Sequence, residues 1–484
     1  MKIRSELPGC RTHQQHKLNR TMQDPNARSR KMSLHLSGLF PEYARAAVLL
    51  ALLAISCVAG RTALAEESSS PPALRWWRGN LHTHTAWKEG DDFPEMAAEW
   101  YRNQGYNFLA LTEHNVLAQG QNWIKVEKLT SRAKMDAFGA YLKRFGPDWI
   151  ETRPGDAPGD LEVRVKPFDE YSALLNERDR FIVILAEEIT DKARNGLKLH
   201  MNAINISELI PPQSGAVVRD VISNDFRAAQ DSAQRAGRLV QAEVNHVNYK
   251  WAVTAEDLAA LPDEKFFEVW NGVTDDNDPG DKDHPSSDEI WDIANTLRMA
   301  SNAPPLYGLA TDDTHEYHGN KTRAIPGRAW VMVRSRYLTP ESLLRAMGRG
   351  DFYASTGVFL DEVTFDAVAG RLALRIKPSG NETFVTRFIG TRKGANLSGK
   401  PRLDSGGKVV ETTLDYRTAG GPQIGEVFRE VNGANPDYTL KGDELYVRAV
   451  VTSSGETEVP STEFKFKRAW TQPVGWRASM ERKP

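Results

Sequence analysis

Cysteine is almost missing from this chain: only Cys10 and Cys57 occur among 484 residues. Both precede residue 66, so if that segment is a leader the remainder carries no thiol, and disulfides and thiolate chemistry are excluded. Long apolar runs are missing as well. The most apolar stretch, Ala46 to Gly60, falls short of the roughly 20 residues a membrane-spanning helix needs. No internal repeat is visible. Positive charge is not in excess either, because the first 65 residues hold 10 Lys+Arg against 3 Asp+Glu and leave 52 against 61 behind them, a net charge of -9. An acidic chain is a poor polyanion binder, which sets nucleic acid aside as the main partner. Histidine, finally, is missing from the last 166 residues.

What is present begins with a basic stretch (Arg28, Arg30, Lys31, Arg45), the apolar run, and Ala63-Leu64-Ala65. That layout predicts a secretory signal over residues 1–65, cleaved after Ala65, with Met22 or Met32 as alternative starts. The mature form is then exported, periplasmic or secreted, with no membrane span. A composition of 40% hydrophobic and 26% charged residues suits a soluble globular protein of two or three folded units.

After a linker over 66–74, short apolar runs alternate with amphipathic stretches. Tyr106–Leu111, Phe181–Leu185, Leu239–Val244, Phe266–Val269 and Leu306–Ala310 read as buried strands. Asp92 is placed to cap a helix with Pro94 in its first turn and Gly105 past its end. Repeated strand and helix predict parallel strands, in an α/β barrel or a doubly wound sheet, over residues 75–360. Residues 119–170 exceed an ordinary connection and are read as a helical cap insertion. From about Asp361 the pattern turns to strict alternation, as in Leu372-Ala373-Leu374-Arg375-Ile376, and predicts an all-β, sandwich-like unit over 361–484.

All eight histidines beyond residue 65 lie between His82 and His318, and most follow a strand-like run. His82 and His84 follow Leu81, His114 follows Leu111, His246 follows Val244, His315 follows Ala310, and His200 opens an apolar segment. Glu188 follows Leu185, and Glu268 lies inside Phe266–Val269. The carboxyl ends of parallel strands share one face, so these groups converge there. On a strand, His-x-His directs both rings to one side, and imidazole with carboxylate suits Zn²⁺, Mn²⁺ or Fe. Glu187 competes with Glu188, and Asp312 with Asp313, since neighbouring strand residues face opposite ways.

The ordered set His82-Thr83-His84-Thr85, Leu111-Thr112-Glu113-His114-Asn115, Glu188-Ile189-Thr190, His200, Asn245-His246 and Asp313-Thr314-His315 resembles the polymerase and histidinol phosphatase (PHP) superfamily of metallohydrolases. Asn245 to Trp251, Phe267 to Gly272, Ala310 to His315 and Gly350 to Gly357 look like its CehA/McbA branch, named for carbaryl hydrolase. The resemblance runs from about Arg75 to Val358. It implies a distorted (β/α)7 TIM-like barrel with two or three divalent metal ions. By position His82, His84, Glu188 and Asp313 would hold the first, Glu188, His200 and His246 the second, and Glu89, His114 and His315 the third. Glu188 and Asp313 are preferred over their neighbours on the family pattern and on Asp-x-His spacing. Glu89 stands where many relatives have Asp, Glu113 replaces a common Asp, and Val247 a common Pro. Glu268 is expected to orient a ligand histidine. His284 and His318 are expected at the surface.

The implied chemistry is hydrolysis by a water activated between cations, with His246 and His315 as proton carriers. A small-molecule phosphoester is the first expected substrate, with Lys250, Arg323 and Arg328 as candidate charge partners. A carboxyl or carbamate aryl ester is the alternative, with Trp87, Tyr249 and Trp251 as an aromatic wall. A non-catalytic, metal-containing exported binding protein is the third reading.

Overall fold

Seven strands position the expected site residues, within them or just past their ends: β1 (Arg75–Asn80), β2 (Phe108–Leu111), β3 (Ile182–Lys192), β4 (Lys198–Ile204), β5 (Gln241–Val244), β6 (Phe266–Asn271) and β7 (Tyr307–Thr311). β2, β5, β6 and β7 are buried along their whole length, as strands covered on both faces must be. The helices are α1 (Pro94–Asn103), α2 (Val126–Ala133), α3 (Ala137–Phe145), α4 (Phe168–Leu175), α5 (Val218–Ala236), α6 (Ala255–Ala259), α7 (Ser287–Ala300) and α8 (Pro340–Met347). α7 begins in a reciprocal cap, Ser286 Oγ accepting from Glu289 N and Glu289 Oε2 from Ser286 N. α1 begins differently from expectation, at Pro94 behind an uncapped Phe93. Asp92 is drawn elsewhere, to Phe93 N at 2.9 Å and to His318 Nε2 at 3.0 Å.

This computed structural model describes residues 71–477 except 195, 262, 320, 398–401, 404–405, 408, 412–422 and 458–464. The expected leader, its cleavage point after Ala65, Cys10 and Cys57 lie outside the described residues. From Pro71 onward the chain forms one compact unit. Among the described residues no helix is long and apolar enough to cross a membrane.

The architecture is mixed α/β around one large sheet. It also includes β8 (Trp330–Ser335), β9 (Phe352–Ser355), β12 (Phe384–Arg392), β13 (Glu426–Asn432), β15 (Glu444–Glu456) and β16 (Phe466–Thr471), while β10 (Leu360–Asp366), β11 (Arg371–Ile376) and β14 (Asp437–Thr439) form a second sheet. The order in the large sheet is β7-β6-β5-β4-β3-β2-β1-β8-β9-β16-β15-β12-β13. Neighbours from β1 to β7 are parallel except around β4, which runs antiparallel to both β3 and β5.

The expected closed (β/α)7 barrel is therefore corrected to an open sheet. The second edge of β1 is taken by β8, antiparallel from Arg75↔Ser335 to Gly79↔Val331, so β7 cannot ladder along it. β1 and β7 approach only past their ends, where Thr83 bridges Thr314, Asp313 N bonds His82 O at 3.0 Å and His84 N bonds Thr314 O at 2.8 Å. The free edge of β7 is met instead by the Gln472 carboxamide, which accepts from Gly308 N at 3.0 Å and donates to Gly308 O at 2.9 Å.

The strands beyond residue 360 pair antiparallel, in keeping with their alternation. Leu372, Leu374 and Tyr438 of the second sheet share a core with Phe388, Val447 and Val451 of the large one, which is continuous with the site-bearing strands through β9 and β16. The 119–170 segment also differs from a helical cap: α2 and α3 sit beside a three-stranded antiparallel sheet of Asn122–Lys125, Thr152–Pro154 and Leu161–Val165.

Candidate metal centre

Strand direction explains how residues so distant in sequence meet. β1, β2, β5 and β7 end just before His82, His114, His246 and Asp313, and β3 carries Glu188 beyond the end of its neighbour β2. His200 opens β4, and because β4 runs the other way its start lies at this same face. Three turns that present site residues use left-handed backbone at non-glycine residues: Asn115 (φ 50°), His246 (φ 25°) and Asp313 (φ 48°). Such strain persists where the surroundings over-determine it.

Six imidazoles form a circuit. Ring centroids are 5.2 Å apart for His82 and His84, 4.1 Å for His84 and His315, 4.6 Å for His84 and His114, 5.1 Å for His114 and His200, 4.9 Å for His200 and His246, and 6.0 Å for His246 and His82. Glu188 lies among them, fully buried. Its Oε1 is 3.3 Å from His82 Nε2, 3.0 Å from His200 Nδ1 and 3.5 Å from His246 Nε2, and its Oε2 is 3.4 Å from His84 Nε2 and 2.6 Å from His114 Nδ1. Asp313 Oδ1 lies 3.2 Å from His82 Nε2, 3.0 Å from His84 Nε2 and 3.5 Å from His315 Nδ1.

The paired carboxylates separate cleanly by environment. Glu187 points away, accepts from Ile210 N at 2.6 Å, and is pushed by burial to a pKa of about 8. Burial would raise Glu188 too, but the charges of His114, His200 and His82 hold it well below the usual carboxylate range. Asp312 likewise faces away and accepts from Tyr101 Oη, Gly327 N, Arg328 N and Ala329 N at 2.7–2.8 Å. Asp313 faces the histidines.

Donor atoms of three sets lie within 4.8 Å of one another: His82, His84 and Glu188; His114, Glu188 and His200; and His84, His114 and His315. His246 adjoins them through Glu188, and Asp313 through His82 and His84. Glu89 falls in none of these sets; half-exposed at the rim, its Oε2 is 3.5 Å from His114 Nε2. The turn presenting it closes with Gly90 N on Thr85 O at 2.8 Å, and a Cβ at Gly90 would lie 2.5 Å from Thr85 Cα.

These residues fit cations on a physical criterion. His82 Nε2, both ring nitrogens of His84 and of His200, Glu188 Oε2 and Asp313 Oδ1 are buried without an aligned hydrogen-bond partner. Each such group costs about 1–3 kcal/mol unless something else satisfies it, and ligation does. The charge states also conflict in the absence of a cation. Burial opposes charge on His82, yet Asp313, Glu188 and Glu268 raise it well above the ordinary histidine value, while burial and the adjacent His315 press His84 well below it.

Around the ring stands a layer of orienting groups. Glu268 Oε1 meets His82 Nδ1 at 2.7 Å and accepts from Thr311 Oγ1 at 2.5 Å, while its Oε2 accepts from His246 N at 2.6 Å and Asn271 Nδ2 at 2.9 Å. Sequence reasoning did not single out Thr190, 2.6 Å from His114 Nδ1, or Asn245, whose Nδ2 donates to Glu188 Oε1 at 2.9 Å. Their only signal was adjacency, Asn245 preceding His246 and Thr190 closing Glu188-Ile189-Thr190.

Other expected residues sit elsewhere. Arg328 is buried and spent on the carbonyls of Gly272 and Arg323 at 2.6 and 2.8 Å, and Arg323 pairs with Asp275 at 3.0 Å. Lys250 is exposed, 5.0 Å over the Tyr249 ring. Of the three aromatics Tyr249 adjoins the histidine circuit, 5.3 Å from His246. Trp87 is buried with Nε1 on Lys166 O, and Trp251 stacks on His284 at 3.9 Å. That stack, and the His318 pair with Asp92, correct the expectation of two plain surface histidines.

Comparison with models of known protein families finds no match. A stretch of 69 residues, 14% of this chain, is 32% identical to the DNA polymerase/3'-5' exonuclease PolX of Bacillus subtilis (strain 168), and it spans 12% of that protein. Among solved structures, a two-domain protein from Bacteroides vulgatus ATCC 8482, described as containing a predicted PHP-like metal-dependent phosphoesterase, aligns over 84% of this chain and 98% of its own at 14% identity and a TM-score of 0.34. A protein from Bifidobacterium adolescentis ATCC 15703, described as a candidate metal-dependent phosphoesterase, aligns over 58% of this chain and 98% of its own at 14% identity and a TM-score of 0.29.

Proposed function

We propose that this chain is an exported metal-dependent hydrolase of the PHP superfamily, akin to its CehA/McbA branch, and that it cleaves a phosphoester. The observation that carries the reading is the circuit of six imidazoles around the buried Glu188, with ring nitrogens that no protein group satisfies. His82, His84, Glu188 and Asp313 would hold one cation and Glu188, His200 and His246 a second. His114 and His315, with Glu89 at the rim, would hold a third. Bound divalent cations supply Lewis acidity to a phosphoryl oxygen and acidify a water.

The chain's own residues supply the rest. Glu268 holds the proton of His82 on Nδ1 and so turns Nε2 inward. The Asp313 carbonyl, 3.0 Å from His315 Nδ1, does the same for His315 and leaves its Nε2 to ligate or to carry a proton to the leaving oxygen. His246 is the second candidate proton carrier. Tyr249 beside His246 favours, as a second reading, an aryl carboxyl or carbamate ester. The burial of Glu188 and Asp313 among the histidines favours direct attack by water over a covalent intermediate.

The test is metal analysis of the purified protein followed by turnover assays on aryl phosphate monoesters, phosphodiesters and aryl carboxylate or carbamate esters. At least two equivalents of transition metal and hydrolysis of a phosphoester are expected. Metal-free native protein would refute the reading, activity on the neutral esters alone would select the second, and metal without any turnover would leave a binding protein. Export is tested by N-terminal sequencing of the mature form, expected to start at Glu66.

A further inference from the structure

The insertion brings one cation to the rim of the histidine circuit. Arg132 occupies the last turn of α2. Its carbonyl accepts from Lys321 Nζ at 2.6 Å, and the same Nζ pairs with Asp91 Oδ2 at 2.6 Å, so the end of α2 is tied to the turn that presents Glu89. Arg132 Nη1 reaches Gly90 O only at 3.4 Å. The half-buried guanidinium feels the carboxylates of Glu89, Glu113 and Asp91, yet among the described residues it makes no ion pair within 4.0 Å. Glu113 is occupied by Thr85 N at 2.9 Å and Thr85 Oγ1 at 2.5 Å, and Asp91 by Lys321 and by Tyr317 N at 2.7 Å.

Three other cations are already engaged: Arg328 on carbonyls, Arg323 on Asp275 and Lys321 on Asp91. A guanidinium that spends one donor on a 3.4 Å carbonyl contact has the others to offer an incoming acceptor. Its planar fork matches a phosphate better than any neutral carbonyl. Position agrees, since Gly90, whose carbonyl Arg132 Nη1 approaches at 3.4 Å, directly follows Glu89, itself 3.5 Å from His114 Nε2.

We propose that Arg132 is the specificity-determining residue of this enzyme, binding a non-bridging oxygen of the substrate's phosphoryl group at the rim of the metal centre. The proposal rests on the phosphoester reading and explains how the insertion contributes to it. A neutral aryl ester offers the guanidinium no anionic partner.

The test compares metal-loaded wild type, Arg132→Ala and Arg132→Lys. Calorimetric titration with inorganic phosphate needs no turnover and is expected to show about 10- to 100-fold weaker binding for Arg132→Ala. Arg132→Lys, a point charge without the fork, is expected to recover part of it. KM for an aryl phosphate should rise in parallel while kcat changes less and metal content stays at the wild-type value. Unchanged phosphate affinity in Arg132→Ala, no phosphate binding by wild type, or loss of metal from the variant would each overturn the proposal. Failure of wild type to hydrolyse phosphoesters while phosphate binding still depends on Arg132 would overturn the phosphoester reading instead.

Discussion

Nδ1 of His82 and Oε1 of Glu268 lie 2.7 Å apart, and both side chains are fully buried. One bond therefore decides which nitrogen of His82 faces Glu188 and Asp313. Glu268 also accepts from His246 N and so sets a second site residue. Orienting groups of this kind typically contribute 10- to 100-fold in metal affinity. Glu268→Gln is expected to lose about that much, read by competition with a chromogenic chelator, whereas Glu187→Gln, on the opposite face, is expected to leave affinity unchanged.

His84 belongs to two of the three donor sets and His200 to one. His84→Ala is accordingly expected to lose more bound metal per chain than His200→Ala, measured by elemental analysis after dialysis against a weak chelator. Equal losses would mean that the sets do not fill independently.

Metal removal should destabilise the fold, since the buried nitrogens of His82, His84 and His200 then lack partners. At free metal 100 times the dissociation constant, binding contributes about 2.7 kcal/mol. Scanning calorimetry is expected to show a lower Tm after chelation and recovery on adding Zn²⁺ or Mn²⁺. His84→Ala should flatten this response.

Much of the site was legible because metal chemistry restricts residue types and strand ends are marked locally by apolar runs followed by polar residues. Direction was not. Nothing near His200 shows that β4 runs antiparallel, because pairing is settled by β3 and β5 rather than by the strand itself. Closure was not legible either, since β1 pairs with β8 some 260 residues away, as in Arg75↔Ser335. Asp92 shows a local rule overridden: its carboxylate, suited to a cap, is held by His318 instead. Arg132 carried no signal at all, for an arginine on an amphipathic helix reads as ordinary solvent-facing charge.

Glu264, at the turn before β6, is fully buried, and burial raises its pKa from 4.5 to about 8 despite bonds from Lys265 N and Phe266 N. The folded state keeps this proton where the unfolded chain loses it. Its contribution is thus fully present below pH 4.5 and is lost as pH rises to about 8, by at most about 1.4 kcal/mol per pH unit. Glu264→Gln keeps the acceptor oxygen and removes the titration. In denaturant unfolding the variant is expected to gain on wild type steadily across that window, and a constant difference would contradict the assignment.

A buried ion-pair cluster ties the C-terminal strands to α7. Arg448 on β15 is 1% exposed and pairs with α7: Nε and Nη2 reach Asp292 Oδ1 and Oδ2 at 2.8 and 2.7 Å, and Nη1 is 3.0 Å from Asp288 Oδ1. Tyr446 Oη adds a 2.7 Å bond to Asp292 Oδ1. Removing one partner of such a pair leaves the other buried and uncompensated, at a cost of about 3–5 kcal/mol. Arg448→Met is expected to lose about that much in denaturant unfolding. Because β16 also continues the sheet from β9, the loss should fall on a single transition shared by both halves. A wild-type protein that unfolds in two steps, with Arg448→Met affecting only one, would show that residues 361–484 fold as a domain of their own despite the continuous sheet.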